Sequence, residues 1–209
     1  MLEYRNTHAG ETCLLVGNGG NLHLTPPAWF DYHAFGMNTI HKYEGWTPNF
    51  YTAVDNRVMR EFGNEIAAKF TDVPKFIPAG LKDWQGDNFI IFNHLAKDLK
   101  DGWNPDTLKD GITYHSCMHV AMQLAYWMGF TTLLLIGVEH KPEDGRRHFW
   151  GEDEGMPHKL PMSDWFTGYE VLVKGMKERG VKVLNISAET YAPAEILPRA
   201  DWREYVKKS

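Results

Sequence analysis

The glycine-rich turn at 17–20 is the first segment whose residue types could do chemistry. Gly17, Asn18, Gly19 and Gly20 follow directly after a short apolar run. Because glycine has no Cβ, the backbone N–H groups of such a turn can approach a phosphate closely. The turn lacks the third glycine of the dinucleotide fingerprint G-x-G-x-x-G, where this chain has leucine. It predicts a nucleotide- or phosphate-binding loop, with a plain strand-to-loop turn as the alternative.

Three polar residues follow the next two apolar runs. Asn38 comes after 34–37, and Asp55 and Asn56 come after 50–54. An amide offers donors and acceptors to ribose hydroxyls or a base edge, and a carboxylate can bind ribose or a metal ion. We expect these residues at a nucleotide site, the alternative being that they cap a turn or a helix.

Ser116 and Cys117 lie where a buried helix should begin. Free N–H groups and the positive end of the helix dipole favour an anionic group at such a point, and the Ser116 hydroxyl adds a donor. We therefore expect an anionic group such as a phosphate at the start of this helix, beside Ser116. A nucleophilic role for Cys117 is disfavoured, because a thiol on an apolar helix face is usually inert.

The most apolar run, 131–138, leads into another candidate site. Gly137 and Glu139 lie at its carboxyl end, where ligands bind in parallel sheets. A long polar segment without clear periodicity follows, near 140–162, and connections of this length are commonly lids or binding loops. We expect a lid-like loop there, with a solvated, mobile loop as the alternative.

Four residues of the predicted lid carry its chemistry. Arg146 and Arg147 could hold phosphates, and His148 and His158 could move protons near neutral pH.

A metal site at the start of the predicted second helix is a further alternative. His115 and His119 are four residues apart, as on one helix face. The H-x-x-x-H spacing, however, lacks the internal glutamate of the metalloprotease helix.

The elements that must position these residues alternate between strand and helix. Apolar runs at 13–16, 34–38, 50–55, 75–79, 88–92, 131–138 and 181–186 predict strands, and helical periodicity predicts helices after Asn56, from Ser116 and over 163–179. This alternation indicates an α/β chain with a mostly parallel sheet flanked by helices. We expect one Rossmann-like domain over residues 1–209, with a nucleotide cleft at the strand tips.

The composition of the chain disfavours some classes of binding partner and location. The 209 residues include 22 Lys plus Arg and 27 Asp plus Glu, for a formal charge of −5, which disfavours duplex nucleic acid. Only two cysteines are present, and no apolar run approaches the roughly 20 residues that span a bilayer. We expect a cytoplasmic protein without a transmembrane segment, and the sequence leaves the oligomeric state open.

The order of the motifs resembles that of the domain-of-unknown-function 115 family. The matching segments are Val-Gly-Asn-Gly-Gly-Asn-Leu, Ala-Val-Asp, Ser-Cys-Met-His-Val-Ala and Leu-Leu-Ile-Gly-Val-Glu-His. That family is similar in fold to the family 42 glycosyltransferases, bacterial sialyltransferases that use CMP-sialic acid, and to the archaeal 6-hydroxymethylpterin diphosphokinases. The resemblance covers about residues 12–190, with little match between about 71 and 111.

For a glycosyltransferase, the resemblance implies that Asn18 and Gly19 lie at the nucleotide phosphate and Asn38 at its sugar or base. Ser116 and Cys117 would touch the donor, and Gly137 with Glu139 would flank the cytidine.

A histidine after the lid acts as the general base in the sialyltransferases, and His158 is the nearest match by order. The lid tyrosines that hold the phosphate there have no clear match here, and His148, Arg146 and Arg147 are their candidate replacements.

For a diphosphokinase, the resemblance implies ATP, Mg²⁺ and transfer of a diphosphate. Asp55 and Glu139 are the candidate Mg²⁺ ligands, since this ion prefers one or two carboxylates together with phosphates.

The sequence thus predicts a nucleotide-dependent transferase that takes a nucleotide or nucleotide-sugar donor and a small-molecule or glycan acceptor. One alternative is a non-catalytic nucleotide or sugar-phosphate binder. Another is a metallohydrolase that uses His115, His119, His140 and the acidic loop.

Overall fold

A seven-stranded, wholly parallel sheet forms the centre of the computed structural model, which describes residues 1–81, 84, 86, 88–95, 97–140, 148–151 and 162–208. The strands are β1 (Thr12–Val16), β2 (His33–Met37), β3 (Phe50–Thr52), β4 (Lys75–Pro78), β5 (Phe89–Phe92), β6 (Thr132–Ile136) and β7 (Lys182–Asn185). The α-helices among the described residues are α1 (Asn56–Lys69), α2 (Cys117–Trp127) and α3 (Met162–Lys177). Single 3₁₀ turns occupy Leu2–Tyr4, Leu22–Leu24, Pro27–Trp29, Asn38–Lys42, Ala79–Leu81, Leu99–Asp101, Pro105–Lys109 and Trp202–Glu204.

The strand order explains where a site can form. Across the sheet the order is β5-β4-β3-β2-β1-β6-β7, so the chain moves outward from β1 to β5 and then returns to place β6 on the other side of β1. The direction of winding therefore reverses between β1 and β6. In open α/β sheets this reversal opens a crevice at the carboxyl ends of the two strands.

Side chains of the central strands alternate between two apolar cores. Cys13 and Leu15 of β1 pack with α2 and α3, whereas Leu14 and Val16 pack with α1 on the other face. Because strand side chains point to opposite faces in turn, a strand buried on both sides must be apolar throughout. The predicted Rossmann-like α/β fold is confirmed.

The predicted element bounds need small changes. The third strand ends at Thr52 rather than at position 55, because Asp55 caps α1 by accepting a 2.7 Å hydrogen bond from the Arg57 backbone. Ser116 caps α2 as expected. Most of the predicted lid, at 141–147 and 152–161, lies outside the described residues.

The loops after β1 and β6 lie against each other, backbone to backbone. The Gly17 N–H donates to the Ile136 carbonyl at 2.9 Å, and the Gly19 N–H donates to the Gly137 carbonyl at 3.0 Å. A Cβ on Gly17 would overlap the Gly137 carbonyl, and Gly137 itself has a φ of +65°. Glycine is needed here for close approach at the first position and for a left-handed backbone at the second.

Replacing Gly17 with alanine should therefore destabilise the fold by about 2 kcal/mol or more, because the obstructing atom is backbone and cannot rotate away. Gly80→Ala is the matched control, since a Cβ there meets nothing within 4 Å and alanine should be neutral or slightly stabilising. Urea denaturation of both variants measures the difference. Equal midpoints for Gly17→Ala and the wild type would contradict the close-contact account.

Candidate functional site

A cleft of about 210 Å³ opens at the carboxyl edge of the sheet, where β1 and β6 diverge. Most of the residues that the sequence singled out line it: Gly17, Asn18, Gly19, Asn38, Ser116, Cys117, Gly137, Glu139 and His148. The remaining lining residues are Met37, Met118, Val138, His140, Trp165 and Tyr169. Residues as far apart in the sequence as Gly17 and Tyr169 thus converge at the position that the topology favours for a ligand.

The glycine turn contributes shape more than free amides. Since the N–H groups of Gly17 and Gly19 are bonded to the β6 loop, they are not available to a phosphate. The absence of side chains instead leaves room for a neighbour, because a Cβ on Gly19 would overlap the Glu139 carboxyl group. The turn therefore allows a buried acid to lie directly beneath the cleft.

Asn18 carries an unsatisfied acceptor. Its Nδ2 donates to the Met37 carbonyl at 3.0 Å, whereas its Oδ1 is buried and has no hydrogen-bond partner among the described residues. A buried polar atom without a partner costs free energy, of the order of 1–3 kcal/mol. A ligand that donates a hydrogen bond to this oxygen would remove that cost.

Asn38 is held in a fixed orientation. It has a φ of +47°, its carbonyl accepts from the Tyr51 hydroxyl at 2.7 Å, and its Oδ1 accepts from the Cys117 thiol at 2.8 Å. With Oδ1 occupied, the amide NH₂ is the end of the side chain that can donate to a ligand.

Cys117 is a structural thiol. Its sulfur also accepts from the Val54 N–H at 3.3 Å, and burial raises the pKa of the thiol to about 12. A thiol with such a pKa stays protonated at neutral pH and is a poor nucleophile. Cys117 therefore positions Asn38 and the first turn of α2.

The N-terminus of α2 faces the cleft. The Ser116 hydroxyl accepts from the His119 N–H at 3.3 Å and thereby caps the helix. The N–H groups of Cys117 and Met118, in the first turn, have no partner within the helix. Together with the helix dipole, they form a place for a negatively charged group.

A tyrosine that the sequence did not single out connects this helix end to the opposite wall. The Tyr169 hydroxyl lies 3.3 Å from Nε2 of His140 and is hydrogen-bonded to Ser116. Burial raises the pKa of Tyr169, so its hydroxyl keeps its proton. Its helical spacing looked like that of an ordinary core residue, and only the packing of α3 on α2 reveals its place.

Gly168 permits that packing. A Cβ at this position would overlap the imidazole of His119. His119 is fully buried, and burial, with a smaller contribution from the charge of His115, lowers its pKa to about 3. It therefore stays neutral and acts as part of the helix contact.

His148 reaches the cleft through a short backbone pairing. It forms an antiparallel bridge with Gly19, and the adjoining Phe149 N–H donates to the Asn18 carbonyl at 3.1 Å. The imidazole stacks on Trp150 with ring centroids 4.3 Å apart and planes 16° from parallel. Residues 148–151 thus lie over the glycine turn.

Several predicted residues do not line the cleft or are not described. Gly20, Asp55 and Asn56 are outside the cleft lining. Arg146, Arg147 and His158 lie outside the described residues.

The two candidate Mg²⁺ ligands serve other contacts. Asp55 caps α1, and only Glu139 of the pair lines the cleft. Glu139 is 4% exposed, and burial raises its pKa to about 7. The charge of Glu189 also raises this pKa, whereas a hydrogen bond from the Asn21 backbone lowers it. These contacts do not fit a cation shared by the two carboxyl groups.

The histidines of the metallohydrolase alternative have separate partners. Nε2 of His115 lies 3.1 Å from the Asp98 carboxylate and its Nδ1 lies 3.0 Å from the Asp164 carbonyl. Within the described part of the chain, His115, His119 and His140 do not form a set of three ligand atoms.

Comparison with solved structures finds one with the same fold. It is the sialyltransferase CstII from Campylobacter jejuni in complex with a substrate analogue, cytidine-5'-monophosphate, which is 14% identical with a TM-score of 0.51 over 92% of this chain and 86% of that one. No family model matches the sequence, and no curated protein matches it either. The likeness supports the expected similarity to the sialyltransferase fold, while membership of the domain-of-unknown-function 115 family and similarity to the diphosphokinases stay predictions.

Among the residues described, no helix is both long and apolar enough to cross a bilayer.

The buried Glu139 predicts a measurable dependence of stability on pH. Between the usual value of 4.5 and about 7, the folded protein holds a proton that the unfolded chain has lost, so stability falls as pH rises through this window. Glu139→Gln removes this loss, so the variant should gain relative to the wild type between pH 5 and pH 8, by up to roughly 3 kcal/mol. Urea unfolding at both pH values measures the gain.

Glu170→Gln is the control, because Glu170 is an exposed glutamate on α3. It should follow the wild-type profile. If Glu139→Gln does so as well, the carboxyl group is not held with a raised pKa.

Proposed function

We propose that the chain transfers a glycosyl group from a nucleotide-activated sugar to an acceptor hydroxyl. The observation that carries the proposal is the convergence of the β1 loop, the β6 loop and the N-terminus of α2 in one cleft at the topological switch point. The fold shared with a sialyltransferase bound to cytidine-5'-monophosphate supports it.

In this proposal the donor phosphate lies at the N-terminus of α2. The N–H groups of Cys117 and Met118 and the hydroxyl of Ser116 are suited to its oxygens, and the helix dipole favours its charge. A chain with a formal charge of −5 can bind an anion in this way because the attraction is local.

The two asparagines suit the uncharged part of the donor. Asn18 offers a buried acceptor and Asn38 offers an oriented amide donor, both in the cleft lining. An acceptor and a donor close together match the hydroxyls of a ribose or the edge of a cytosine. CMP is therefore the first nucleotide to test.

The chemical step needs a base and a stabilised leaving group. The acceptor oxygen bonds to the anomeric carbon as the bond between that carbon and the phosphate oxygen breaks, the acceptor proton moves to the base, and the nucleotide leaves with the electron pair. Of the two proposed bases, His148 is the one that the structure describes in the cleft. The helix N-terminus stabilises the charge that develops on the phosphate.

Nucleotide binding is tested by calorimetry with CMP. Asn18→Ala should weaken CMP binding about tenfold, because the ligand loses a hydrogen bond of about 1.4 kcal/mol to a buried acceptor. Asn64→Ala, on the exposed side of α1, is the matched control and should bind as the wild type does. If neither CMP nor ATP binds the wild-type protein, the cleft is not a nucleotide site.

Catalysis is tested with CMP-sialic acid, with water as the acceptor. His148→Gln should lower the rate of CMP release 10²- to 10⁴-fold, the usual contribution of a general base, while CMP affinity stays within about threefold. His23→Gln replaces an exposed histidine outside the cleft lining and should keep the full rate.

Two other outcomes would each overturn glycosyl transfer. CMP binding without turnover, unchanged by His148→Gln, would favour the non-catalytic binder. Release of AMP from ATP and Mg²⁺ in the presence of a hydroxymethylpterin, without turnover of the nucleotide sugar, would favour diphosphate transfer.

A further inference from the structure

Three potential metal ligands meet at the amino edge of the sheet, at the opposite end of β1 from the cleft. Nδ1 of His8 lies 3.2 Å from Oε2 of Glu11, and Nδ1 of His33 lies 2.9 Å from the same oxygen. The three ligand atoms all lie within 4.8 Å of one another, and no other such group of three occurs among the described residues. We propose that His8, Glu11 and His33 form a site for a divalent transition-metal ion of the zinc type.

The spacing of the ligand atoms suits such an ion. With bonds of about 2.0–2.1 Å and tetrahedral angles, neighbouring ligand atoms around zinc lie about 3.3 Å apart. The two nitrogen-to-oxygen distances are within a few tenths of an ångström of this value. The two histidine nitrogens lie within 4.8 Å of each other, so rotation of the imidazoles would bring all three ligand atoms to this spacing.

The type of ligand also points to this class of ion. Two imidazoles and one carboxylate suit zinc and its neighbours, whereas magnesium and calcium prefer oxygen ligands alone. The side chains are 17%, 47% and 42% exposed for His8, Glu11 and His33, so water can reach the ion and complete its coordination.

The backbone holds the three residues in place. The His8 N–H donates to the Met128 carbonyl at 2.8 Å, and the Glu11 carbonyl accepts from the Thr131 N–H at 2.9 Å. His33 is the first residue of β2, paired in register with β1. His33 thus lies in a strand, whereas His8 and Glu11 lie in the segment that precedes β1, and backbone hydrogen bonds tie that segment to the chain before β6.

Aromatic packing fixes one of the imidazoles. The ring of His8 stacks on Phe130 with centroids 4.7 Å apart and planes 6° from parallel, and it meets the ring of His33 at 4.4 Å. These ring contacts hold the His8 imidazole beside His33.

The test uses full-length protein without an affinity tag, stripped of metal with a chelator. Titration with Co²⁺ at pH 7.5 should give one equivalent bound and visible absorption bands of a four- or five-coordinate ion, and Zn²⁺ should displace it. Glu11→Gln and His33→Asn should each weaken Co²⁺ binding at least tenfold, since removing a ligand costs no less than removing its supporting partner. His23→Asn, an exposed histidine elsewhere, should bind as the wild type does.

Thermal melting of each variant without metal separates loss of the site from loss of the fold. In the wild type Zn²⁺ should raise the Tm, and the two ligand variants, melting near the wild-type temperature when metal-free, should lose that rise. Absence of Co²⁺ bands in the wild type, binding that survives both ligand substitutions, or equal loss in His23→Asn would each overturn the site.

Discussion

The backbone contact between the loops that follow β1 and β6 is the constraint on which the cleft depends. Gly17 and Gly137 bring the two backbone segments very close together. A Cβ at either position would overlap the backbone of the other segment, and Gly137 also has a positive φ that disfavours a side chain. This contact fixes the positions of Asn18 on one side and Glu139 on the other. Without it, the crevice at the switch point would have no defined floor.

Much of the fold could be predicted because the central strands are buried on both faces. A run such as 133–136 therefore has to be apolar throughout, and a capping residue such as Ser116 marks a helix start; both patterns are local. The strand order could not be predicted from local sequence patterns. That β6 returns to pair with β1 depends on long connections, and the periodicity of neither strand encodes it.

Cleft residues could be predicted where a polar residue directly follows a strand. They could not be predicted where helix packing determines which side chains reach the cleft. Asn38 and Glu139 could be predicted because the carboxyl ends of parallel strands share one edge, and Asn18 because it lies in the glycine-rich turn. Tyr169 could not, since its place depends on Gly168 allowing α3 to lie against His119. The expectation that the glycine turn offers amides to a phosphate took no account of β6, which already accepts hydrogen bonds from two of them.

Two buried polar groups in the cleft lining lower the stability of the folded protein. Nothing in the described part of the chain donates to the buried Oδ1 of Asn18, and Glu139 is a buried acid whose ionised form is disfavoured. Neither feature is required to close the sheet, because the strands pair through their backbones and the cores are apolar. Groups that cost stability without supporting the fold tend to be found at functional sites.

At the amino edge of the sheet, by contrast, the polar side chains of Glu11, His8 and His33 are paired with one another. There Glu11 satisfies two imidazoles at once, and the backbone on either side is bonded to the loop before β6. The two ends are separated by the five residues of β1, about 16 Å of strand. An ion at the amino edge would therefore stabilise the entry into β1 and β2 without contacting the residues that line the cleft. Asn18 follows β1 and Glu139 follows β6, whereas Glu11 precedes β1 and His33 begins β2, so β1 is the strand that the two ends have in common.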